Sequence, residues 1–262
     1  MKTIRTATEV RDAMRDRGGQ VGLVPTMGAF HEGHLSLMRA AREACDLVVV
    51  SLFVNPSQFN AAEDLARYPR DEAADAGAAE AVGADLLFAP DAAELYPEGF
   101  DTWVEPGELA NVLEGAARPG HFRGVATVCT KLFSIVRPDR AYFGRKDAQQ
   151  VAVIKRVVAD LNLPLEIVAL PTVRDTDGLA LSSRNARLSP GERAVALSLP
   201  RALEAGAAAH RSGADPVAAA RNVLDGERGL TVDYVEVAQF DGPTLVAAVR
   251  VGTTRLIDNV RL

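Results

Sequence analysis

The sequence has few cysteines, few histidines, no excess of basic residues and no long hydrophobic run. Its 262 residues include only two cysteines, Cys45 and Cys129, and both lie within apolar stretches. Cysteines in such surroundings are typically small, buried side chains. We therefore expect a reducing compartment and no disulfide framework.

The charge balance is acidic. There are 35 acidic and 29 basic residues, which gives a formal net charge of −6. Nonspecific nucleic-acid binding depends on a basic surface, so no nucleic-acid partner is expected. An anionic substrate stays compatible with this charge, because a local cluster of cations can override the global sign.

A membrane segment is not expected either. The longest strongly apolar run covers residues 47–54, whereas a helix needs about 20 apolar residues to cross a bilayer. The N-terminal residues are charged and periodic, without the apolar stretch or the cleavage site of a signal peptide. We expect a soluble, cytoplasmic protein with no membrane partner.

Strand-like and helix-like segments alternate over most of the chain. A helix is predicted from Thr8 to about Arg17, and β-branched runs at residues 20–26 and 46–55 flank a second helical pattern. The alternation continues to residue 173. It predicts an α/β fold with a mostly parallel sheet that is covered on both faces.

The composition changes after residue 173. A polar segment rich in Arg and Ser is followed by two Ala-rich helical patterns, at about residues 190–212 and 215–224, and then by two strand-like patterns, at residues 232–240 and 253–262. We predict a boundary at this point, with one domain at residues 1–173 and a smaller α+β domain at residues 174–262.

Two of the four histidines lie in the stretch "PTMGAFHEGH", residues 25–34. The stretch follows a predicted strand and leads into a helix, where free N–H groups and the positive helix end suit a phosphate. His31 and His34 can add further donors. The alternative is that His34 caps the helix and His31 is a solvated loop residue. A zinc pair is less favoured, because it needs spacing i,i+4 and this pair has i,i+3.

Two more segments carry polar groups suited to an anionic substrate. In "NPSQF", residues 55–59, Gln58 can donate to and accept from a carboxylate or a hydroxy acid; the alternative is a plain turn. In "RPGHFRG", residues 118–124, arginines and a histidine precede a helix and suggest a loop that faces an anion. The alternative there is a basic, solvated loop.

Two later segments suit a polyphosphate. In "YFGRKDAQQ", residues 142–150, Lys146 lies near a helix start and can reach phosphates, while Asp147 can cap the helix and do nothing more. In "LALSSRN", residues 179–185, two hydroxyls and a guanidinium can fold over phosphates, or the segment is a Ser-rich linker. All five segments follow predicted strands or lie on the linker that leaves the sheet.

Together these motifs resemble those of the pantothenate synthetase (pantoate–β-alanine ligase) family. That family belongs to the nucleotidylyltransferase superfamily, whose HxGH and KMSKS signatures correspond here to residues 31–34 and 181–185. The likeness covers nearly the whole chain and thins in the C-terminal domain. It implies a Rossmann-like sheet domain, a smaller C-terminal domain that closes over the site, and a homodimer.

The resemblance also implies the reaction. Pantoate and ATP would form pantoyl adenylate and pyrophosphate, and β-alanine would then displace AMP to give pantothenate. Catalysis would consist mainly of positioning and of electrostatic stabilisation of charge on the phosphates. Mg²⁺ would be bound mainly by the phosphates, with Asp75 as a candidate for a nearby acidic contact.

Residue roles are carried over by matching motif positions. The catalytic groups would be His31, His34 and Lys146, with His34 as the proton donor. The ATP-binding residues would be Met27, Gly28, His31, His34, Gly144, Lys146, Asp147, Val173, Leu181, Ser182, Ser183 and Arg184. The residues for pantoate or β-alanine would be Pro25, Thr26, Asn55, Gln58, Arg118, His121 and Gln150.

Some positions depart from the family pattern. Phe30 stands where Leu is typical, Leu181 where Met begins "MSSRN", Arg145 where an acidic residue is usual, Ala148 where an aromatic one is, and Ala74 where an acidic one is often found. None removes a group that is assigned to chemistry. Two alternatives stay open, namely another nucleotidyltransferase of the superfamily and a catalytically silent nucleotide-binding protein.

Overall fold

The computed structural model describes residues 1–15 and 17–262, and in them the chain folds into two compact units. Unit 1 comprises Met1–Gly144 and Gln149–Leu170, and unit 2 comprises Arg145–Ala148 and Pro171–Leu262. The boundary predicted at residue 173 falls three positions into unit 2. No sequence pattern indicated that four residues from the middle of the predicted first domain belong to unit 2.

Unit 1 is built on a parallel sheet, which confirms the predicted fold class. Its strand order is β1-β4-β3-β2-β5-β6, and its neighbouring strands pair in parallel. Side chains alternate between two cores, as in β3, where Val49 packs on one face and Val48 and Val50 on the other. The strands are β1 Lys2–Ile4, β2 Val21–Thr26, β3 Leu47–Leu52, β4 Leu86–Phe88, β5 Arg140–Gly144 and β6 Glu166–Leu170.

Helices cover both faces of this sheet. The helix predicted from Thr8 to about Arg17 is described over Ala7–Arg15, and Asp16 lies outside the described residues. The helices are α1 Ala7–Arg15, α2 Glu32–Ala44, α3 Ala62–Ala66, α4 Glu72–Ala81, α5 Ala92–Leu95, α6 Glu114–Ala117, α7 His121–Val136 and α8 Ala148–Asp160, with 3₁₀ turns at Pro56–Gln58 and Glu108–Ala110. A further 3₁₀ turn, Arg145–Asp147, belongs to unit 2.

The sheet changes winding direction between β2 and β5. From β2 the chain adds β3 and β4 on one side, and it later adds β5 and β6 on the other. The pairing of β2 with β5 ends at Leu23 and Ala141, two residues before Pro25, which has no N–H for a ladder. Ligands of open α/β sheets bind outside the carboxyl ends of the strands at such a switch point.

Unit 2 combines helices with an antiparallel sheet of strand order β7-β8-β9, which confirms the predicted α+β domain. Its core packs apolar side chains of the helices, such as Leu199 and Leu224, against Leu245 of the central strand. The elements are a 3₁₀ turn Ser183–Arg187, α9 Pro190–Ala196, α10 Ser198–Arg211, α11 Pro216–Asp225, β7 Leu230–Gln239, β8 Pro243–Val251 and β9 Thr254–Arg261.

None of the helices described in residues 1–15 and 17–262 combines the length and the apolarity that a membrane crossing requires.

Candidate active site

The histidine pair forms a reciprocal cap at the start of α2. The Nδ1 atom of His31 accepts from the backbone N–H of Gly33 at 3.1 Å, and the Nδ1 atom of His34 accepts from the backbone N–H of His31 at 3.3 Å. The two ring centroids lie 4.2 Å apart. The spacing of three residues therefore serves a capping box in which imidazoles replace the usual hydroxyl and carboxylate.

These contacts fix the tautomer of both rings. A nitrogen that accepts a hydrogen bond carries no proton, so in the neutral ring the proton is on Nε2. His31 and His34 are half-buried, and each has an Nε2–H donor on the side of the ring away from the cap. Two such donors at a helix N-terminus make a favourable environment for an anion.

Gly33 makes room for the His31 ring. A Cβ atom at this position would lie 2.9 Å from both Nδ1 and Cε1 of His31. Since real Cβ atoms do not approach so closely, any side chain here would push the ring out of its capping position. The glycine between the histidines is therefore a requirement of the cap.

Asp75 holds the loop that leads to the histidines. Its carboxylate is 4% exposed and accepts from the backbone N–H of Ala29 at 2.9 Å and of Phe30 at 2.7 Å. Gly28 has φ +90°, and a Cβ there would lie 2.8 Å from an oxygen of Asp75. Both carboxylate oxygens hold this backbone, and the expected contact between Asp75 and a metal stays a prediction.

Gln58 is fixed in a buried network after β3. Its Oε1 accepts from Asn55 Nδ2 at 3.0 Å, and its Nε2 donates to Met27 Sδ at 3.2 Å. Asn55 Nδ2 also donates to the carbonyl of Gly124, and Asn55 Oδ1 accepts from Ser57. The network orients the Gln58 amide with its nitrogen toward the loop that follows β2.

His121 and Arg118 hold the backbone of Gln58. His121 Nδ1 lies 2.9 Å and Arg118 Nη2 lies 3.2 Å from the carbonyl oxygen of Gln58. His121 Nε2 lies 3.1 Å from Arg118 Nη1, and because a guanidinium cannot accept, Nε2 accepts and Nδ1 donates. Both residues therefore support the backbone of Gln58, and their expected contact with substrate stays a prediction.

Gly124 lets α7 approach this turn closely. A Cβ at this position would lie 2.5 Å from the carbonyl oxygen of Ser57 and 2.8 Å from the backbone nitrogen of Gln58. The first turn of α7 thus supports the 3₁₀ turn Pro56–Gln58 by backbone contact, and it also carries His121. The segment 118–124 is a support for Gln58, which neither of the two interpretations of the sequence included.

Unit 2 gathers the other predicted phosphate-binding groups. Lys146, Ser182 and Arg184 line one cavity, together with Asn185 and Asp258. Ser182 caps the 3₁₀ turn Ser183–Arg187, since its hydroxyl accepts from the Arg184 N–H at 3.3 Å. The segment 182–185 is therefore an ordered turn, and the alternative of a plain Ser-rich linker does not describe it.

The remaining predicted site residues lie at the ends of elements. In unit 1, the buried Thr26 ends β2 and donates to the Ser51 carbonyl at 2.6 Å, Gly144 ends β5, and the half-buried Gln150 lies in the first turn of α8. In unit 2, Asp147 ends a 3₁₀ turn, and the Leu181 N–H donates to the Val173 carbonyl at 3.0 Å. Each is positioned by the backbone of its own unit.

Several residues near the site were missed by the sequence analysis. In unit 2, Asp258 and Asn259 of β9 contact the segments that carry Arg174 and Lys146. In unit 1, the buried Gln149 accepts from the Glu114 N–H and donates to the carbonyls of Leu109 and Val112. In the sequence, Asn259 could have been noticed as part of a polar Asp-Asn pair within an otherwise apolar strand pattern. The sequence does not indicate which residues it contacts.

The described residues do not form a metal centre of their own. In residues 1–15 and 17–262 no group of three or more His, Cys, Asp or Glu side chains is arranged to hold a metal ion. With Asp75 bonded to the backbone, this part of the chain supplies no carboxylate cage for Mg²⁺.

Comparisons with known proteins agree with this assembly of groups. The family model described as pantoate-beta-alanine ligase matches residues 1–261. The chain belongs to the pantoate–β-alanine ligase family. It is therefore an enzyme, a ligase of pantoate and β-alanine, as the sequence motifs predicted.

Curated relatives of this ligase match over their full length. The pantothenate synthetase of Roseiflexus sp. (strain RS-1) is 54% identical, with 99% of this chain and 98% of that protein covered. The pantothenate synthetase of Moorella thermoacetica is 52% identical, with 100% and 99% covered.

Solved structures share the fold of the ligase. The pantothenate synthetase of Thermus thermophilus matches with a TM-score of 0.95 and 45% identity, over 100% of this chain and 99% of that one. The pantoate–β-alanine ligase of Francisella tularensis, solved in complex with β-γ ATP and β-alanine, matches with a TM-score of 0.86 and 34% identity, over 100% and 97%.

Proposed function

We propose that the ligase uses ATP in two steps. First, a carboxylate oxygen of pantoate attacks the α-phosphorus of ATP, the bond to the β-phosphate oxygen breaks, and pantoyl adenylate and pyrophosphate form. The amine of β-alanine then attacks the acyl carbon, loses a proton, and displaces AMP to give pantothenate. The first step is needed because a free carboxylate is a poor acyl donor, whereas AMP is a good leaving group.

The observation that carries this proposal is the reciprocal cap of His31 and His34. It holds both Nε2–H groups at the N-terminus of α2, where donors and the helix end favour negative charge. In the first step charge grows on the bridging and non-bridging oxygens of the phosphates. Donors that are already oriented stabilise that charge without a cost of reorganisation. We assign both histidines to the phosphates, with His34 giving the proton or hydrogen bond to the leaving group.

Pantoate would be held by amides of unit 1. The orientation of the Gln58 amide by Asn55 supports its assignment to a hydroxyl or carboxylate of pantoate. Gln150, in the first turn of α8, is assigned to the same substrate. Since each amide offers both a donor and an acceptor, the pair suits a hydroxy acid. Pro25, Thr26 and Met27 would line this site on the side of β2.

Further groups are assigned to ATP, each described within its own unit. Lys146, Ser182, Ser183 and Arg184 of unit 2 are assigned to its phosphates, which suits one ammonium, two hydroxyls and one guanidinium. Gly28, Gly144, Asp147, Val173 and Leu181 are assigned to the rest of the nucleotide. Mg²⁺ is assigned to the phosphate oxygens of ATP and enters with it, and none of the described carboxylates is assigned to it.

β-Alanine would bind after pyrophosphate leaves. The complex of the Francisella tularensis ligase with β-γ ATP and β-alanine supports the use of both compounds here. We further propose that the ligase is a cytoplasmic homodimer.

Pyrophosphate–ATP isotope exchange tests the mechanism. With pantoate present and β-alanine absent, the wild-type ligase should exchange label, and AMP release should need both substrates. We expect His34→Ala to lower the exchange rate by about 10²-fold or more, the scale for loss of a transition-state donor. His210→Ala, which alters an exposed histidine at the end of α10, is the matched control.

Three results would argue against the proposal. Near-normal exchange in His34→Ala would remove that residue from the chemistry. An adenylate that accumulates without any reaction with β-alanine would point to a different nucleotidyltransferase. Absence of exchange in the wild-type protein, with ATP still bound, would point to a silent nucleotide-binding protein.

A further inference from the structure

The turn that carries Lys146 is held by a residue of the last strand. The side-chain nitrogen of Asn259 donates to the carbonyl oxygens of Arg145 and Lys146, each at 2.9 Å. An amide nitrogen has two hydrogens, so both are used on adjacent peptide groups. This double contact fixes the position and the orientation of the 3₁₀ turn Arg145–Asp147 relative to β9.

The residue before Asn259 is itself locked in place. The side chain of Asp258 is 1% exposed and binds Arg174 through both carboxylate oxygens, at 2.7 and 3.1 Å. One of these oxygens also accepts from the N–H of Asn259 at 2.8 Å. This bidentate pair has little freedom, because breaking it would leave the buried carboxylate of Asp258 without its counter-charge.

Through Arg174, the ion pair is connected to the segment that leads to Ser182 and the 3₁₀ turn Ser183–Arg187. Arg174 forms a β-bridge with Ala180 and donates to the carbonyl of Gly178, so the segment 174–180 is a closed hairpin. Ser182 follows two residues later. Asp258 and Asn259, neighbours on β9, therefore hold the two segments that carry Lys146 and Ser182.

The two segments meet at one cavity. Lys146, Ser182, Arg184 and Asp258 all line it. To bind the oxygens of one phosphate chain, the ammonium of Lys146 and the hydroxyl of Ser182 must lie at a defined distance from each other. Displacement of a catalytic group by about 1 Å can lower the reaction rate by about 10²-fold. The separation of these groups depends on the backbone contacts made by one Asp–Asn pair.

We propose that Asn259 is a positioning residue for Lys146, and that Asp258, through Arg174, positions the turn that begins at Ser182. The proposal rests on the assignment of Lys146 to the phosphates. It makes the end of β9 part of the adenylation machinery, through the backbone of the segments that carry Lys146 and Ser182.

Asn259→Asp is the main test, since it keeps the size of the side chain but turns a carboxylate toward two carbonyl oxygens. We expect the rate of pyrophosphate–ATP exchange to fall by at least about 10-fold and the KM for ATP to rise, because Lys146 is misplaced. The KM for pantoate should change by less than about 2-fold, since Gln58 belongs to unit 1. Asn222→Asp, at an exposed position of α11, is the matched control.

A double-mutant cycle with Lys146→Ala separates positioning from general stability. If Asn259 acts through Lys146, Asn259→Asp should cost much less in the Lys146→Ala background than in the wild type. Equal losses in both backgrounds, or equal effects on the KM values of ATP and pantoate, would overturn the proposal. If Asn259→Asp does not fold, Asn259→Ala is judged by the same cycle and the same KM comparison.

The same cycle distinguishes two kinds of failure. Near-normal exchange in Lys146→Ala alone would overturn the assignment of Lys146 to the phosphates, and the inference with it. A large loss in Lys146→Ala combined with normal kinetics in Asn259→Asp would leave the proposed function standing and overturn only the inference.

Discussion

At the scale of single residues, His31 and His34 combine two tasks that usually fall to different side chains. Each uses Nδ1 to cap the helix, so the proton of the neutral ring is on Nε2 and points in a fixed direction. Helix capping and phosphate binding are therefore compatible, although the sequence analysis treated them as alternatives. Capping is what orients the ring for the contact that we propose.

Gly33→Ala should disturb this arrangement with little change in stability. The new Cβ would displace the His31 ring, and loss of a cap costs about 1 kcal/mol. Ala gains about 1 kcal/mol over Gly inside a helix, so the two effects nearly cancel. We expect pyrophosphate–ATP exchange to fall by about 10- to 100-fold, while the urea midpoint shifts little.

Gly191→Ala provides the control for this variant. Gly191 is also the second residue of its helix, and a Cβ there would meet open space. This variant should keep full exchange activity. If Gly33→Ala also kept it, the orientation of His31 by its cap would not matter for the reaction.

Asp75→Asn should separate a backbone anchor from a metal contact. An amide side chain has one acceptor oxygen, so one of the N–H groups of Ala29 and Phe30 would lose its partner, at about 1–3 kcal/mol. We expect slower exchange because the histidine loop shifts. The Mg²⁺ concentration for half-maximal exchange should stay at the wild-type value.

The control is Asp71→Asn, because Asp71 is the exposed N-cap of α4 and Asn caps a helix equally well. A raised Mg²⁺ requirement in Asp75→Asn, with the wild-type rate restored at saturating Mg²⁺, would return Asp75 to the metal.

At the scale of elements, short apolar runs that alternate with helical patterns predicted five of the strands of unit 1, at residues 20–26, 46–55, 84–90, 141–144 and 165–173. The three-residue β1 was missed, because residues 2–4 give no periodic signal. Strand β8 was missed because "PTLVAAVRV" is rich in Ala, and its position between β7 and β9 comes from tertiary pairing.

One predicted helix is divided in the structure. The sequence suggested a continuous helix from about residue 190 to 212, but it splits into α9 and α10 at Leu197. Pro200 is the cause, since a proline clashes with the carbonyl four residues earlier, here that of Ala196. The third position of α10, where Pro200 lies, tolerates the missing N–H.

The residues of the candidate site were predictable where polar side chains follow the end of a strand in the sequence. The segments with His31, Gln58 and Lys146 each come directly after β2, β3 or β5, and the carboxyl edge of a parallel sheet is where ligands bind. The supporting residues were not predictable, because Asp75 and Asn259 act through contacts that span 45 or more positions. Local patterns carry no information about such partners.

Gly124→Ala tests whether α7 holds the 3₁₀ turn Pro56–Gln58 in place. The methyl group would clash with the backbone at Ser57 and Gln58, so α7 and the 3₁₀ turn must separate. We expect the KM for pantoate to rise by about 10-fold or more and the free energy of unfolding to fall by about 1–3 kcal/mol.

Gly77→Ala, inside α4 and facing open space, is the corresponding control and should leave the KM for pantoate unchanged. An unaltered KM in Gly124→Ala would mean that Gln58 is not held by α7.

At the scale of the whole molecule, one buried thiol links stability to pH. Burial raises the pKa of Cys129 from its ordinary value of 9.0 to about 12. A thiol with a raised pKa stabilises the fold below its unfolded pKa, and this contribution is lost as pH rises from about 9 to about 12. Between about pH 8 and pH 11 the loss is about 3 kcal/mol.

Urea unfolding of Cys129→Ala across this pH range measures the effect. The difference in unfolding free energy from the wild type should shrink as pH rises, since the variant has no thiol to ionise. Val128→Ala removes a neighbouring buried side chain without a titrating group, so its difference should stay constant. A constant difference for Cys129→Ala would contradict the raised pKa.

The four residues Arg145–Ala148 belong to unit 2, although the chain on either side belongs to unit 1. The polypeptide therefore passes from one unit to the other three times, after Gly144, after Ala148 and after Leu170. A chimera that joins two relatives at residue 170 would leave Asn259 of one parent facing the Arg145–Lys146 turn of the other. Recombination between such enzymes should succeed more often when residues 145–148 are exchanged along with the C-terminal unit, because a fragment that starts at residue 171 lacks the two carbonyl groups to which Asn259 donates.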